Sequence, residues 1–331
     1  MRDKIAGALY GMALGDAMGM PAELWGRKRV KAFFGRIEGF LDGPAENDVA
    51  FNYKKGQFTD DTGQALVLLD SIESTDYEPD TRDIALRMLA WAEKENAFEN
   101  NILGPTSKVA LANFRDNIQD SRITDKALSN GSAMRIAPIG CLFRPEQKED
   151  IARYVYLVSR ATHTSDVTIA GAAMIAEAVS SAIEKDDFEK VMEDVFGIEE
   201  IGYGMGCETF SPRLGERLRI GLDIAGSYKG DDEGFIHKLY DVVGTGVGII
   251  ESVPAALSVA YFAQDPNRSC LLCANMAGDT DTIGAMATAV CGAFTGMGRI
   301  KPEYIRTLRQ QNDADFDHYI RILEKGRERF A

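Results

Sequence analysis

MRDKIAGALYGMALGDAMG, residues 1–19, is the stretch from which the fold is read. Its glycines at 7, 11, 15 and 19 recur every four residues, which places them on one slowly drifting stripe of an α-helix. A glycine inside a helix costs about 1 kcal/mol relative to alanine, so four in register need a compensating contact. Close approach of a second backbone supplies one. The stretch therefore predicts a helix over 3–19 laid tightly on another element of the core. Asp3 among the basic residues, and glycines interrupting the apolar run, argue against a secretory leader.

Outward from that helix the same periodicity persists. Apolar residues recur at three- and four-residue steps, and alternating strand-like runs are scarce. The expectation is an all-α fold: a compact single-domain bundle over 1–331 with a dozen or more helices. The clearest lie at 3–19, 61–72, 82–96, 147–161, 167–184, 252–263, 282–295 and 302–325. Pro105, Pro138, Pro254 and Pro302 fall near expected helix starts, where a missing amide hydrogen costs little. The segment 199–234, richer in glycine and charge, reads as an irregular insertion suited to carrying substrate selectivity. No fixed-period repeat occurs, which removes solenoids.

With 331 residues, 45% of them hydrophobic, the chain can bury a large core. Its net charge of -14, without any long run of Lys or Arg, removes the electrostatic attraction that dominates nucleic-acid binding. Five cysteines, an odd and scattered set, do not form a disulfide framework and suit a cytoplasmic location. Cys270 and Cys273 have no second pair to complete a zinc site and are read as core residues one helical turn apart. The longest uncharged stretch, 282–298, is slightly short for a span of about 20 residues, so no membrane segment is expected. A monomer is favoured.

Two segments place acidic clusters directly before apolar helical runs: FTDDTGQALVLLDSI at 58–72 and AGDTDTIGAMATAV at 277–290. Either cluster alone is explained by helix capping, because Thr and Asp are preferred caps and carboxylates favour the first turn. Capping needs one side chain, however, and each cluster spends two carboxylates and two hydroxyls. Crowded carboxylates repel unless a cation intervenes. Oxygen-only donors with no nearby His or Cys suit Mg2+ or Mn2+. If the two helix starts meet, four carboxylates could hold two ions about 3.5–4 Å apart. Asp16 and Glu23, at the end of the glycine-striped helix and in the turn after it, add further acidic groups, with Glu23 read as a ligand or a proton-transfer group.

The ordered set GDAMGMPAE, FTDDT, NGSAMR, ATHTSD and GDTDTIGA resembles the ADP-ribosylglycohydrolase family across most of the chain, 4–298. The resemblance implies a helical fold with a binuclear Mg2+ or Mn2+ cleft, whose ligands would be Thr59, Asp60, Asp61, Asp279, Asp281 and Thr282. It implies Glu23 as an acidic residue near the metals and Asn130, Gly131, Ser132, Ala133 and Met134 as a loop against ribose and phosphates. His163 falls on the substrate side. The amides of that loop, ahead of the apolar run 134–143, read as a helix-start nest for a diphosphate, with Arg135 adding charge or making a structural salt bridge. One departure stands out: Ala277 occupies a position where many members have glycine.

The implied reaction is hydrolysis of an N- or O-glycosidic bond to ribose, chiefly removal of ADP-ribose from a modified protein side chain. Asp61 or Glu23 would move the proton. The alternatives are hydrolysis of free nucleosides or other small ribosides, a non-catalytic crystallin-like relative, and an acidic scaffold in which both clusters merely cap helices.

Overall fold

The computed structural model describes residues 1–100 and 102–331, and among them the fold is all-α. The first third of the chain forms α1 (Arg2–Gly19), α2 (Arg27–Phe34), α3 (Asp60–Ser74), α4 (Thr81–Lys94) and α5 (Pro105–Arg115). Short α6 (Arg122–Asp125) and α7 (Ala137–Gly140) lead to α8 (Lys148–Ser159), α9 (Asp166–Glu184) and α10 (Phe188–Tyr203). The remainder comprises α11 (Leu214–Ser227), α12 (Asp232–Val242), α13 (Ile249–Ala263), α14 (Pro266–Met276), α15 (Thr280–Thr295), α16 (Pro302–Gln311) and α17 (Phe316–Phe330).

The glycine stripe organises the centre. A Cβ on Gly7, Gly11, Gly15 or Gly19 would overlap the carbonyl oxygens of Gly292, Thr288, Gly284 and Thr280 respectively. As numbers rise along α1 they fall along α15, so the two helices run antiparallel in backbone contact. The end of α1 therefore meets the start of α15, where Thr280 Oγ1 donates to the carbonyl of Gly19 at 2.7 Å. α9 is long and apolar enough to cross a membrane, yet its residues up to Ile183 are buried among the other helices. Cys270 and Cys273 lie one turn apart on α14, both buried.

Three sequence expectations need correction. The segment 199–234 is mostly helical, belonging to α10, α11 and the start of α12, and only 204–213 and 228–231 are irregular. Its charges sit on exposed helix faces while Leu214, Leu218 and Ile224 pack inward. The single helix expected at 302–325 is two, α16 and α17. Asn312 ends the first: its Oδ1 accepts from the amide of Phe58 and its Nδ2 donates to the carbonyl of Gly56, while Asp315 caps the second. Pro254 lies inside α13, which starts five residues earlier at Ile249, not at its start.

Candidate metal and substrate site

α3 begins at the acidic cluster because α1 delivers a cap to it. Asp16, fully buried, accepts from the amide of Thr59 at 2.8 Å, the amide of Thr62 at 3.0 Å and the Thr62 hydroxyl at 2.6 Å. Thr59 Oγ1 accepts in turn from the amide of Asp61 at 3.4 Å. Asp16 and Thr59 thus serve the amides of Thr59, Asp61 and Thr62, and the Asp60 carboxylate meets its own amide. At α15 the N-cap residue is Asp279, yet its side chain makes no capping bond; its Oδ2 accepts from Asn130 Nδ2 at 2.5 Å. Thr59 therefore caps α3, while the carboxylates of Asp61 and Asp279 make no capping bond.

The antiparallel pairing of α1 and α15 brings Glu23 to the cluster at the start of α15. Carboxylate oxygens of Glu23, Asp279 and Asp281 lie within 4.8 Å of one another. Asp61, Asp279 and Asp281 are buried, whereas Asp60 and Glu23 keep partial exposure. Oδ2 of Asp61 and Oδ1 of Asp281 are buried without a hydrogen-bond partner among the described residues, and Thr282 lies within hydrogen-bonding reach of Asp61 and Asp279. Burying such oxygens unpaired is costly. An oxygen-only donor set with unpartnered carboxylate oxygens fits a hard divalent cation.

The electrostatics say the same. Burial pushes Asp16 and Asp279 up to about 6 and Asp60, with Asp16 beside it, up to about 7. Glu23, Asp61 and Asp281 are raised well above the ordinary carboxylate range, first by burial and then by neighbouring carboxylates. Protons or cations must compensate this charge. Tyr53, from the loop before α3, is raised by burial and then by Asp60 and Glu23.

The backbone around the cluster is stitched by two short bridges. Leu24 and Trp25 pair with Gly278, and Ser129 pairs with Gly248. Asp279 donates its amide to the carbonyl of Thr245 at 2.7 Å, and Asn130 donates to Val247 at 3.0 Å. A cleft of about 490 Å³ along α3 reaches the site at Tyr53 and Thr59, with Gly63, Leu66, Trp91 and Tyr319 among its walls; the clustered carboxylates are not part of them.

The 130–134 loop differs from its expected form. Ala133 and Met134 donate their amides to the carbonyl of Asn130, Ser132 Oγ donates to Thr168, and Ala133 is fully buried. Only the amides of Gly131 and Ser132 are without a partner inside the chain among the described residues. The run after the loop forms one turn, Ala137–Gly140, too short to supply the expected helix start. His163 is fully buried with both ring nitrogens engaged, by Thr162 and Ser129, so it supports the loop from beneath and does not face a ligand. Burial and the charge of Arg135 hold its imidazole neutral, down to about 3.

Arg135 makes no salt bridge among the described residues. It is buried, donating to Gln64 Oε1 at 2.7 Å and Thr162 Oγ1 at 2.6 Å. The reading of the sequence missed Tyr53 and Gln64 and gave Asp16 no role. Gln64 alone carried a visible signal, four residues after Asp60 on one helix face, and its Nε2 donates to Asp60 Oδ2 at 2.8 Å.

The family model described as ADP-ribosylglycohydrolase matches residues 1–329. The uncharacterised protein YegU of Escherichia coli (strain K12) is 44% identical over 98% of both chains. ADP-ribosylhydrolase ARH3 of Mus musculus is 24% identical, over 94% of this chain and 89% of its own. ADP-ribosylarginine hydrolase Tri1 of Pseudomonas putida (strain GB-1) is 26% identical, over 92% and 73%. A solved structure titled ADP-ribosylglycohydrolase-related protein complex superposes with a TM-score of 0.72 over 98% of both chains at 22% identity, a likeness of fold.

Proposed function

The chain belongs to the ADP-ribosylglycohydrolase family, and from that premise we propose that it is a divalent-metal-dependent hydrolase that removes ADP-ribose from a modified protein side chain. Membership supports ADP-ribosyl glycohydrolase activity in general. One observation carries the metal-dependent reading: Thr282 of the second cluster reaches Asp61 of the first, and buried oxygens of Asp61 and Asp281 are left without partners. The acceptor rests on the names of ARH3 and Tri1.

Thr59, Asp60 and Asp61 from α3, with Asp279, Asp281 and Thr282 from α15, are the residues that would hold Mg2+ or Mn2+, with Glu23 beside Asp279 and Asp281. Two bound ions would supply Lewis acidity to the ribose hydroxyls and lower the pKa of nearby water. Glu23, partly exposed where Asp61 is buried, would exchange a proton with the attacking water or the leaving group. Of the two unpartnered amides, that of Gly131 would donate to the diphosphate, whereas Ser132 is fully buried. Asn130 holds Asp279 in place from the same loop.

The test is release of ADP-ribose from arginine- and serine-modified peptides, against a panel of free nucleosides, with and without Mg2+ or Mn2+. Modified peptides are expected to react only with metal, and Asp60→Asn and Asp279→Asn to lose both metal binding and at least a hundredfold in rate, a scale typical of lost electrostatic stabilisation. Turnover of nucleosides alone would replace the acceptor assignment. Wild-type metal affinity in both variants would return the clusters to a structural role.

A further inference from the structure

One buried guanidinium connects the two carboxylate clusters. Arg135 is almost fully buried and has no carboxylate within ion-pair distance among the described residues. Its Nη1 donates to Gln64 Oε1 at 2.7 Å, and Gln64 Nε2 donates to Asp60 Oδ2 at 2.8 Å. The amide of Gln64 can face only one way here, its oxygen toward the guanidinium and its nitrogen toward the carboxylate. That arm fixes the rotamer of Asp60.

The second arm runs the other way. Arg135 Nη2 donates to Thr162 Oγ1 at 2.6 Å, and Thr162 Oγ1 lies 2.8 Å from His163 Nδ1. Thr162 is fully buried. Its hydroxyl already accepts from Arg135, so its proton must go to Nδ1; a proton on Nδ1 would leave the hydroxyl proton buried and unbonded. His163 is therefore the Nε2-protonated tautomer, donating to Ser129 Oγ at 3.1 Å, and Ser129 donates on to Thr106 Oγ1 at 3.1 Å. Ser129 immediately precedes Asn130, whose Nδ2 binds Asp279. The ring of His163 also lies so close to Gly131 that a Cβ there would strike it.

We propose that Arg135 is the positioning residue of the site: through Gln64 it sets Asp60, and through Thr162 and His163 it sets the Ser129–Asn130 segment that holds Asp279, so one fork aligns the two clusters. Only a guanidinium serves both arms, because its two Nη groups diverge in a fixed plane, whereas a lysine offers one flexible ammonium. The inference rests on the metal-binding reading of the site, and the test separates the two.

Gln64→Leu cuts the first arm, Thr162→Val the second, and Arg135→Lys keeps the charge without the fork. For variants whose circular dichroism matches wild type, Mn2+ affinity is read by calorimetry and the His163 tautomer by long-range ring 1H–15N correlation in the metal-free protein. Gln64→Leu and Arg135→Lys are expected to weaken Mn2+ binding about 10- to 100-fold, the range for lost outer contacts of a ligand. Thr162→Val and Arg135→Lys are expected to mix the two His163 tautomers, which Gln64→Leu leaves as in wild type. Wild-type Mn2+ affinity in Gln64→Leu and Arg135→Lys, or an unmixed Nε2-protonated His163 in Thr162→Val, overturns the proposal. A wild-type protein that binds no divalent cation overturns the metal reading instead, and the tautomer in Arg135→Lys still decides the role of the fork.

Discussion

At the residue scale, Ala277 shows what a single side chain costs beside a site. Its backbone lies at φ +73 and ψ 167, a region essentially reserved for glycine, and it joins α14 to the Gly278–Asp279 turn. Strain of this kind costs about 1–3 kcal/mol, and Ala→Gly returns part of that as unfolded-chain freedom. Ala277→Gly is expected to stabilise the protein by about 1 kcal/mol in urea unfolding. The carboxylates make a second prediction. Asp16, Asp60 and Asp279 are raised to about 6, 7 and 6, against about 3.9 for an unfolded Asp. The folded chain then binds more protons than the unfolded chain between about pH 4 and 7, so stability falls as pH rises through that window. Glu177, raised to about 8 by burial, acts in the same direction, and Asp120, held down to about 2 by Arg122, acts below the window. Without divalent cations, unfolding free energy should decline from pH 5 to 8, and the stabilisation conferred by Mn2+ should grow over the same range. A flat profile would show that the carboxyls titrate normally.

At the element scale, the glycine stripe is the feature that the sequence stated most plainly and that does most for the site. Backbone contact between α1 and α15 carries Asp16 to the start of α3 and Glu23 to the start of α15. Gly15→Ala would press a methyl group into the carbonyl of Gly284. Backbone cannot yield as a flexible side chain can, so the expected cost is roughly 2–3 kcal/mol, measured by urea unfolding, with weakened Mn2+ binding because Asp16 shifts. The alanine at exposed Gly226, where a Cβ meets nothing within 4 Å, serves as the control and should not destabilise. The break between α16 and α17 was not legible, because Asn312 ends the helix by binding Gly56 and Phe58, residues some 250 positions earlier.

At the scale of the whole molecule, the site draws on the turn after α1, the starts of α3 and α15, and the loop before α7. Ligand binding therefore couples to the folding of the centre as a whole. Saturating Mn2+ should raise the melting temperature in one cooperative step, with stabilisation of about 2.7 kcal/mol at a hundredfold excess over Kd. A shift confined to part of the unfolding transition would mean that the site folds on its own. By itself the sequence determined the all-helical class, the packing of its first helix and the two acidic clusters, because periodicity, glycine spacing and cap chemistry are local. Only the tertiary structure decided that Asp16 meets the amides at the start of α3, that His163 lies beneath the loop, and that Arg135 spans the clusters. Those roles depend on which buried donor meets which acceptor across the fold, and sequence spacing does not carry that pairing.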